Sequence, residues 1–109
     1  MNNVCVTVDA GICGFTCQVK AWKKEKRMAG LEISGSECKM IQKFAAAISE
    51  LSIKDLFLPL TRNPIFINAE RAGCHLACPV PVAVVKAAEA ALELALLKDV
   101  TLLFKSGCD

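Results

Sequence analysis

Five of the seven cysteines in this 109-residue chain fall at or beside turns and helix starts. Cys13 and Cys17 lie in the segment GICGFTC, and Cys74 and Cys78 in the segment GCHLACPVP, so the same Cys-x-x-x-Cys spacing occurs near both ends. Cys38 stands between them, in SGSECKMI. Thiols in such places do chemistry through their thiolates, as nucleophiles, redox groups or metal ligands. Four thiolates are what a structural zinc ion or a common iron–sulfur cluster requires. The candidate ligand set is therefore Cys13, Cys17, Cys38, Cys74 and Cys78, with His75 as a nitrogen donor beside it. Zinc-type pairs allow two to four intervening residues, so the three-residue spacing is permitted, but it is less diagnostic than the two-residue one. Geometry limits it further. An extended chain from Cys13 to Cys17 spans about 13 Å at ~3.3 Å per residue, too far for one ion unless the turn curls back through Gly14. A helical turn from Cys74 to Cys78 would meet no such difficulty.

The elements that must position these thiols follow from periodicity. Val4, Val6 and Val8 alternate with polar residues as in a half-buried strand, with Cys5 on the opposite face. Ala10 to Gly14 supplies a turn in which Gly11 and Gly14 can take positive φ. A second strand holds Phe15, Cys17, Val19 and Ala21 on its apolar face, where a small core residue is an equal reading of Cys17. Lys23 to Arg27 reads as a solvated hairpin turn, and Ala29, Leu31 and Ile33 as a third strand.

Ser34 and Glu37 have capping-box spacing, with Ser36 a second N-cap candidate, ahead of a helix from about Glu37 to Leu51. Cys38 falls in its first turn, where free N–H groups favour a thiolate. Ser52 and Asp55 mark a short helical turn; Ile65 to Ile67 reads as a short extended piece after Pro64. Pro79 or Pro81 opens the longest helix, with Val84, Ala87, Ala88, Ala91, Leu92 and Ala95 on its apolar face. Val100, Leu102 and Phe104 then alternate as a last strand, and Cys108 is incidental.

The order strand-strand-strand-helix-helix-strand predicts a single α+β domain over residues 1–109: a mainly antiparallel four-stranded sheet with two main helices packed on one face. With the first strand running up, Cys13 and Cys38 both stand at the top. The thiols form one site only if the long connection from Ser52 to Cys78 returns there.

Composition excludes several classes. The chain is 54% hydrophobic, but Lys86, Glu89 and Glu93 interrupt its most apolar helix, so no membrane span is expected. The N-terminal residues do not have a signal-peptide pattern. A cytoplasmic, reducing setting follows as the expectation, in which seven cysteines are thiols or ligands in preference to disulfides. A net charge of +2 gives no nucleic-acid footprint. A protein partner or homo-oligomer is compatible with everything above.

The segments GICGFTCQV, SECKMI, and CHLACPVP followed by KAAEAAL and DVTLLF resemble a family of small cysteine-rich proteins of anaerobic bacteria and archaea that is functionally uncharacterised. The resemblance runs over nearly the whole chain. It implies one domain and singles out Cys13, Cys17, Cys38, Cys74 and Cys78, and its anaerobic setting implies iron–sulfur chemistry by association alone. The leading expectation is a metal- or iron–sulfur-binding protein, for electron transfer or cluster handling. The alternatives are a non-catalytic interaction module with reduced, buried cysteines, and a thiol-redox protein. Catalysis is the weakest expectation, since no Cys-x-x-Cys occurs and His75 is the one histidine.

Overall fold

The computed structural model describes residues 3–107; Cys108 lies outside the described residues. Strand β1 (Asn3–Asp9) and strand β2 (Thr16–Glu25) pair antiparallel from Asn3 opposite Trp22 to Asp9 opposite Thr16. Strand β3 (Met28–Ser34) returns along β2, with a register shift between Lys23 and Glu25. The basic run is mostly strand; only Lys26 and Arg27 form the turn. Val4, Val8, Cys17, Val19, Ala21, Ala29 and Leu31 point to one buried face, as their alternation requires.

The sheet has four antiparallel strands in the order β1-β2-β3-β4, but its fourth member is not the expected one. Strand β4 (Glu50–Ser52) lies at the β3 edge, where Ala29 faces Leu51. Helix α1 (Lys39–Ala47) therefore stops short of Leu51. Ile48 is extended (φ −128°), and the Leu31 N–H donates to the Ser49 carbonyl at 2.8 Å. Ile48 and Leu51 reach the core from this extended stretch, 4% and 2% exposed. A helical apolar stripe and a helix-to-strand junction bury the same residues here, and the free edge of β3 decides between them.

Ser52 caps helix α2 (Ile53–Leu56) through the capping box, accepting from the Asp55 N–H while its own N–H donates to the Asp55 carboxylate. The expected extended piece at Ile65–Ile67 is instead inside helix α3 (Pro64–Arg71). Asn63 is its N-cap, accepting from the Ile65 N–H at 3.0 Å, and Pro64 occupies the first turn. The buried Asn63 amide also donates to the carbonyls of Asp55 and Leu58, which ties the connection to α3.

Helix α4 (Val80–Ala91) packs on β1 and β2, α1 packs on β3, and α3 packs on both α1 and α4. The helical layer thus has α3 as a third main member. Val84, Ala87, Ala88, Ala91 and Leu92 are buried as predicted, but the helix ends before Ala95. Glu93 adopts left-handed backbone (φ 63°), with its N–H donating to the Ala90 carbonyl and the Leu94 N–H donating to that of Glu89. These are the two hydrogen bonds of a Schellman motif. The predicted last strand is absent: residues 95–107 are exposed and pair with no strand among the described residues.

Candidate functional site: a five-thiol pocket

The long connection does return. Strand β3 leads to the Cys38 end of the sheet, α1 runs back, β4 pairs with the start of β3, and α3 climbs again to Gly73. One cavity of about 130 Å³ is lined by Cys13, Cys17, Cys38, Cys74 and Cys78 together. All five candidate cysteines are therefore brought to one place, by three separate stretches of chain. Cys5 is not among them; it is exposed on β1, with its thiol 3.9 Å from the Gln18 side-chain oxygen.

Each thiol is placed by a local device. After β1, residues Gly11–Cys13 make a single 3₁₀ turn closed by the Gly14 N–H on the Gly11 carbonyl at 2.8 Å. Gly14 is left-handed (φ 75°), and the chain curls back through it as the spacing demanded. Cys13 is exposed on this turn, whereas Cys17, on the inward face of β2, is 5% exposed.

Cys38 is the N-cap of α1, one position outside the predicted first turn. The Ser34–Glu37 capping box does not form. Ser36 instead accepts from the Cys38 N–H at 3.1 Å and holds that thiol at the cavity wall.

Helix α3 ends in a second Schellman motif. The Gly73 N–H donates to the Glu70 carbonyl and the Cys74 N–H to that of Ala69, both at 2.9 Å, with Gly73 left-handed (φ 81°). This motif turns Cys74 into the cavity. From there to Cys78 the chain is not the helical turn envisaged from spacing but a β-turn, closed by the Cys78 N–H on the His75 carbonyl at 3.0 Å. His75 is exposed and sits on the cavity wall beside it.

Electrostatics couples the thiols. Burial pushes Cys17 above the ordinary thiol range, and negative charge on Cys78 or Cys38 would push it further. Cys74 is raised by burial and then by charge on Cys78 and Cys38, opposed by its own N–H. Cys78 is raised by burial, opposed by the Val80 N–H bonded to its sulfur, and raised again by charge on Cys38 and Cys13. These thiols are neutral near pH 7 and become ligands only when a cation displaces their protons.

Two helices start at the cavity. Met40 and Ile41 of α1 and Val80 of α4 line it, and neither N-terminus has a side-chain cap. The free first N–H groups of α1 favour accumulated negative charge there, and at the start of α4 the Val80 N–H already meets the Cys78 sulfur. Among the described residues no three His, Cys, Asp or Glu side chains stand close enough together to hold an ion as they are placed. Sequence reasoning did not mark Ile12, Phe15, Met40 and Val80 as cavity residues; they carry no signal separating a pocket wall from ordinary core.

A family of unknown function (DUF6951) matches residues 4–104. The chain belongs to that family. No curated protein and no solved structure matches the chain. Among the described residues no helix is long and apolar enough to cross a membrane.

Proposed function

We propose that this protein binds a thiolate-ligated metal centre in the five-cysteine pocket, an iron–sulfur cluster in preference to a single zinc ion, and serves in electron transfer or cluster handling. The observation carrying this reading is that five thiols from three stretches of chain line one cavity where α1 and α4 both begin without side-chain caps. A single zinc ion with ~2.3 Å bonds needs its thiolates within about 3.8 Å of one another. A cluster, several atoms across, accepts thiolates set farther apart, and a cavity of about 130 Å³ has room for more than one ion. The N–H groups at the two helix starts would offset the negative charge of the ligands. Five cysteines exceed the four a cluster needs. Cys13, exposed on its turn, is the ligand best placed to exchange.

The test is oxygen-free reconstitution with ferrous iron and sulfide, and in parallel with zinc, followed by metal and sulfide analysis, visible absorbance and electron paramagnetic resonance. The expected result is a brown protein with iron and sulfide in equal amounts. Cys38→Ser and Cys78→Ser should abolish the colour, while Cys5→Ser should retain it. A colourless protein with one zinc per chain would shift the assignment to a structural zinc site. A second reading has its own support: burial raises the thiols of Cys17, Cys74 and Cys78, as it does for thiols that merely pack. On that reading the protein takes up no metal, and these thiols react only after unfolding.

A further inference from the structure

The segment after α4 is built like a strand and has nothing to pair with in its own chain. Val100, Leu102 and Phe104 alternate with Thr101, Leu103 and Lys105, which is strand period. Its side chains are nonetheless in solvent: Leu96 is 88% exposed, Leu102 88%, Leu103 83% and Phe104 fully. So many exposed large apolar side chains on one segment mark an interaction site. The outer edge of β1 has no neighbouring strand among the described residues. An open edge of this kind is a template for a further strand.

The two features match in length and pattern. β1 is the seven residues Asn3–Asp9, and Asp99–Lys105 is also seven. Aligned in parallel, Val100, Leu102 and Phe104 stand beside Val4, Val6 and Val8 on the core face. The remaining residues then stand beside Asn3, Cys5, Thr7 and Asp9 on the other. Charge selects this direction: parallel alignment sets Lys105 beside Asp9, whereas the antiparallel one sets Asp99 against Asp9, and like charges at neighbouring positions repel. Sheets that mix parallel and antiparallel pairing occur in α+β folds.

We propose that the segment Asp99–Lys105 of one copy adds as a fifth, parallel strand to the β1 edge of a second copy, and reciprocally, forming a two-fold exchanged dimer. In its own chain the segment leaves near the Asn3 end of the sheet, where Lys23, next to Trp22 in the Asn3 pair, meets Glu93 at 3.6 Å, and then stands off from β1. A reciprocal exchange closes on itself, because each copy's segment and each copy's β1 edge are both used once. The area suffices. Large apolar side chains bury on the order of 100 Å² each. Two such segments, with the surfaces they cover, exceed the ~1,200 Å² at which stable interfaces begin.

Sedimentation equilibrium of the reduced, metal-free protein tests this, read beside carbodiimide coupling of Asp9 to Lys105 in a mixture of ¹⁴N- and ¹⁵N-labelled chains. The expected mass is twice 11.7 kDa, and about half of the coupled peptides should carry both labels, as random pairing of chains requires. Leu102→Asp with Phe104→Asp, both at exposed positions, should give a monomer with unchanged circular dichroism. Coupled peptides of one label only would mean that the segment folds onto its own edge, and would overturn the proposal. So would a wild-type monomer at tens of micromolar, or a dimer that persists in the double variant. None of these readouts depends on metal.

Discussion

The two Cys-x-x-x-Cys segments share a spacing and almost nothing else. The first divides its cysteines between a solvent-facing 3₁₀ turn and the buried face of β2, so Cys13 is exposed and Cys17 is core. The second lies between two helices, where a Schellman motif and a β-turn set Cys74 and Cys78 at similar, partial burial. Equal spacing therefore gives one buried and one exposed thiol in the first segment, and a matched pair in the second. The elements on either side decide a ligand's geometry.

The sharpest way to break this contrast is to put a charge at each cysteine of the first segment. Cys17→Asp should destabilise the reduced, metal-free protein by about 3 kcal/mol or more, because a carboxylate cannot be buried there without a partner. Cys13→Asp should change stability by no more than about 0.5 kcal/mol. Urea unfolding of both variants measures the difference, and equal losses would show that the turn is as buried as the strand.

Backbone constraint gives the next effect. Gly73→Ala forces a left-handed alanine and should cost about 1–2 kcal/mol. The nearest atoms to the new methyl, in Met40, are 3.9 Å away, so the cost is torsional and not steric. Gly14→Ala, with nothing within 4 Å, should cost about the same by the same mechanism. A much larger loss at Gly73 would mean that the second segment is held more tightly than the first.

Alkaline pH probes both segments together. The thiols of Cys17, Cys74 and Cys78 are raised in the folded state, so above the ordinary thiol pKa of about 8.5 the unfolded chain loses their protons first. Stability should be complete below that pH and fall as pH rises toward the folded values. Cys17→Ala and Cys78→Ala should each make the fall shallower, measured by urea unfolding between neutral pH and mildly alkaline pH.

The smallest effect concerns the helices flanking the second segment, which end in the same motif with different residues. Gly73 fits the left-handed position after α3, whereas Glu93 holds it after α4 at a strain. Glu93→Gly should stabilise the protein by about 0.5–1 kcal/mol, since the Lys23 pair it removes is exposed and contributes little. Thermal unfolding reads the gain.

Much of this was legible from one-dimensional pattern. The alternation of Val4, Val6 and Val8, and of Cys17, Val19 and Ala21, placed β1 and β2 and the inward face of Cys17. Ser52 and Asp55 announced the short helical turn of α2. Asn63-Pro64 was misjudged because a proline that forbids a central strand is equally the first residue of a helix, and the capping asparagine before it settles which. The fourth strand was misplaced for a different reason. Residues 100–104 have the better alternation, but Glu50–Ser52 reach the open edge of β3 through a short connection. Pairing depends on which edge is near as well as on strand period.

The sequence by itself determined the residue chemistry: five cysteines at or beside turns, a strand-forming β hairpin region, and an amphipathic helix opening at proline. These are local properties, set by side-chain type and by periods of two and 3.6 residues. Tertiary structure alone decided that the five thiols share a cavity, because that depends on the path of the connection from Ser52 to Cys78. It equally decided that Val100, Leu102 and Phe104 stay uncovered. A strand's period says which face it would bury, and the arrangement of free edges determines whether anything is there to bury it against.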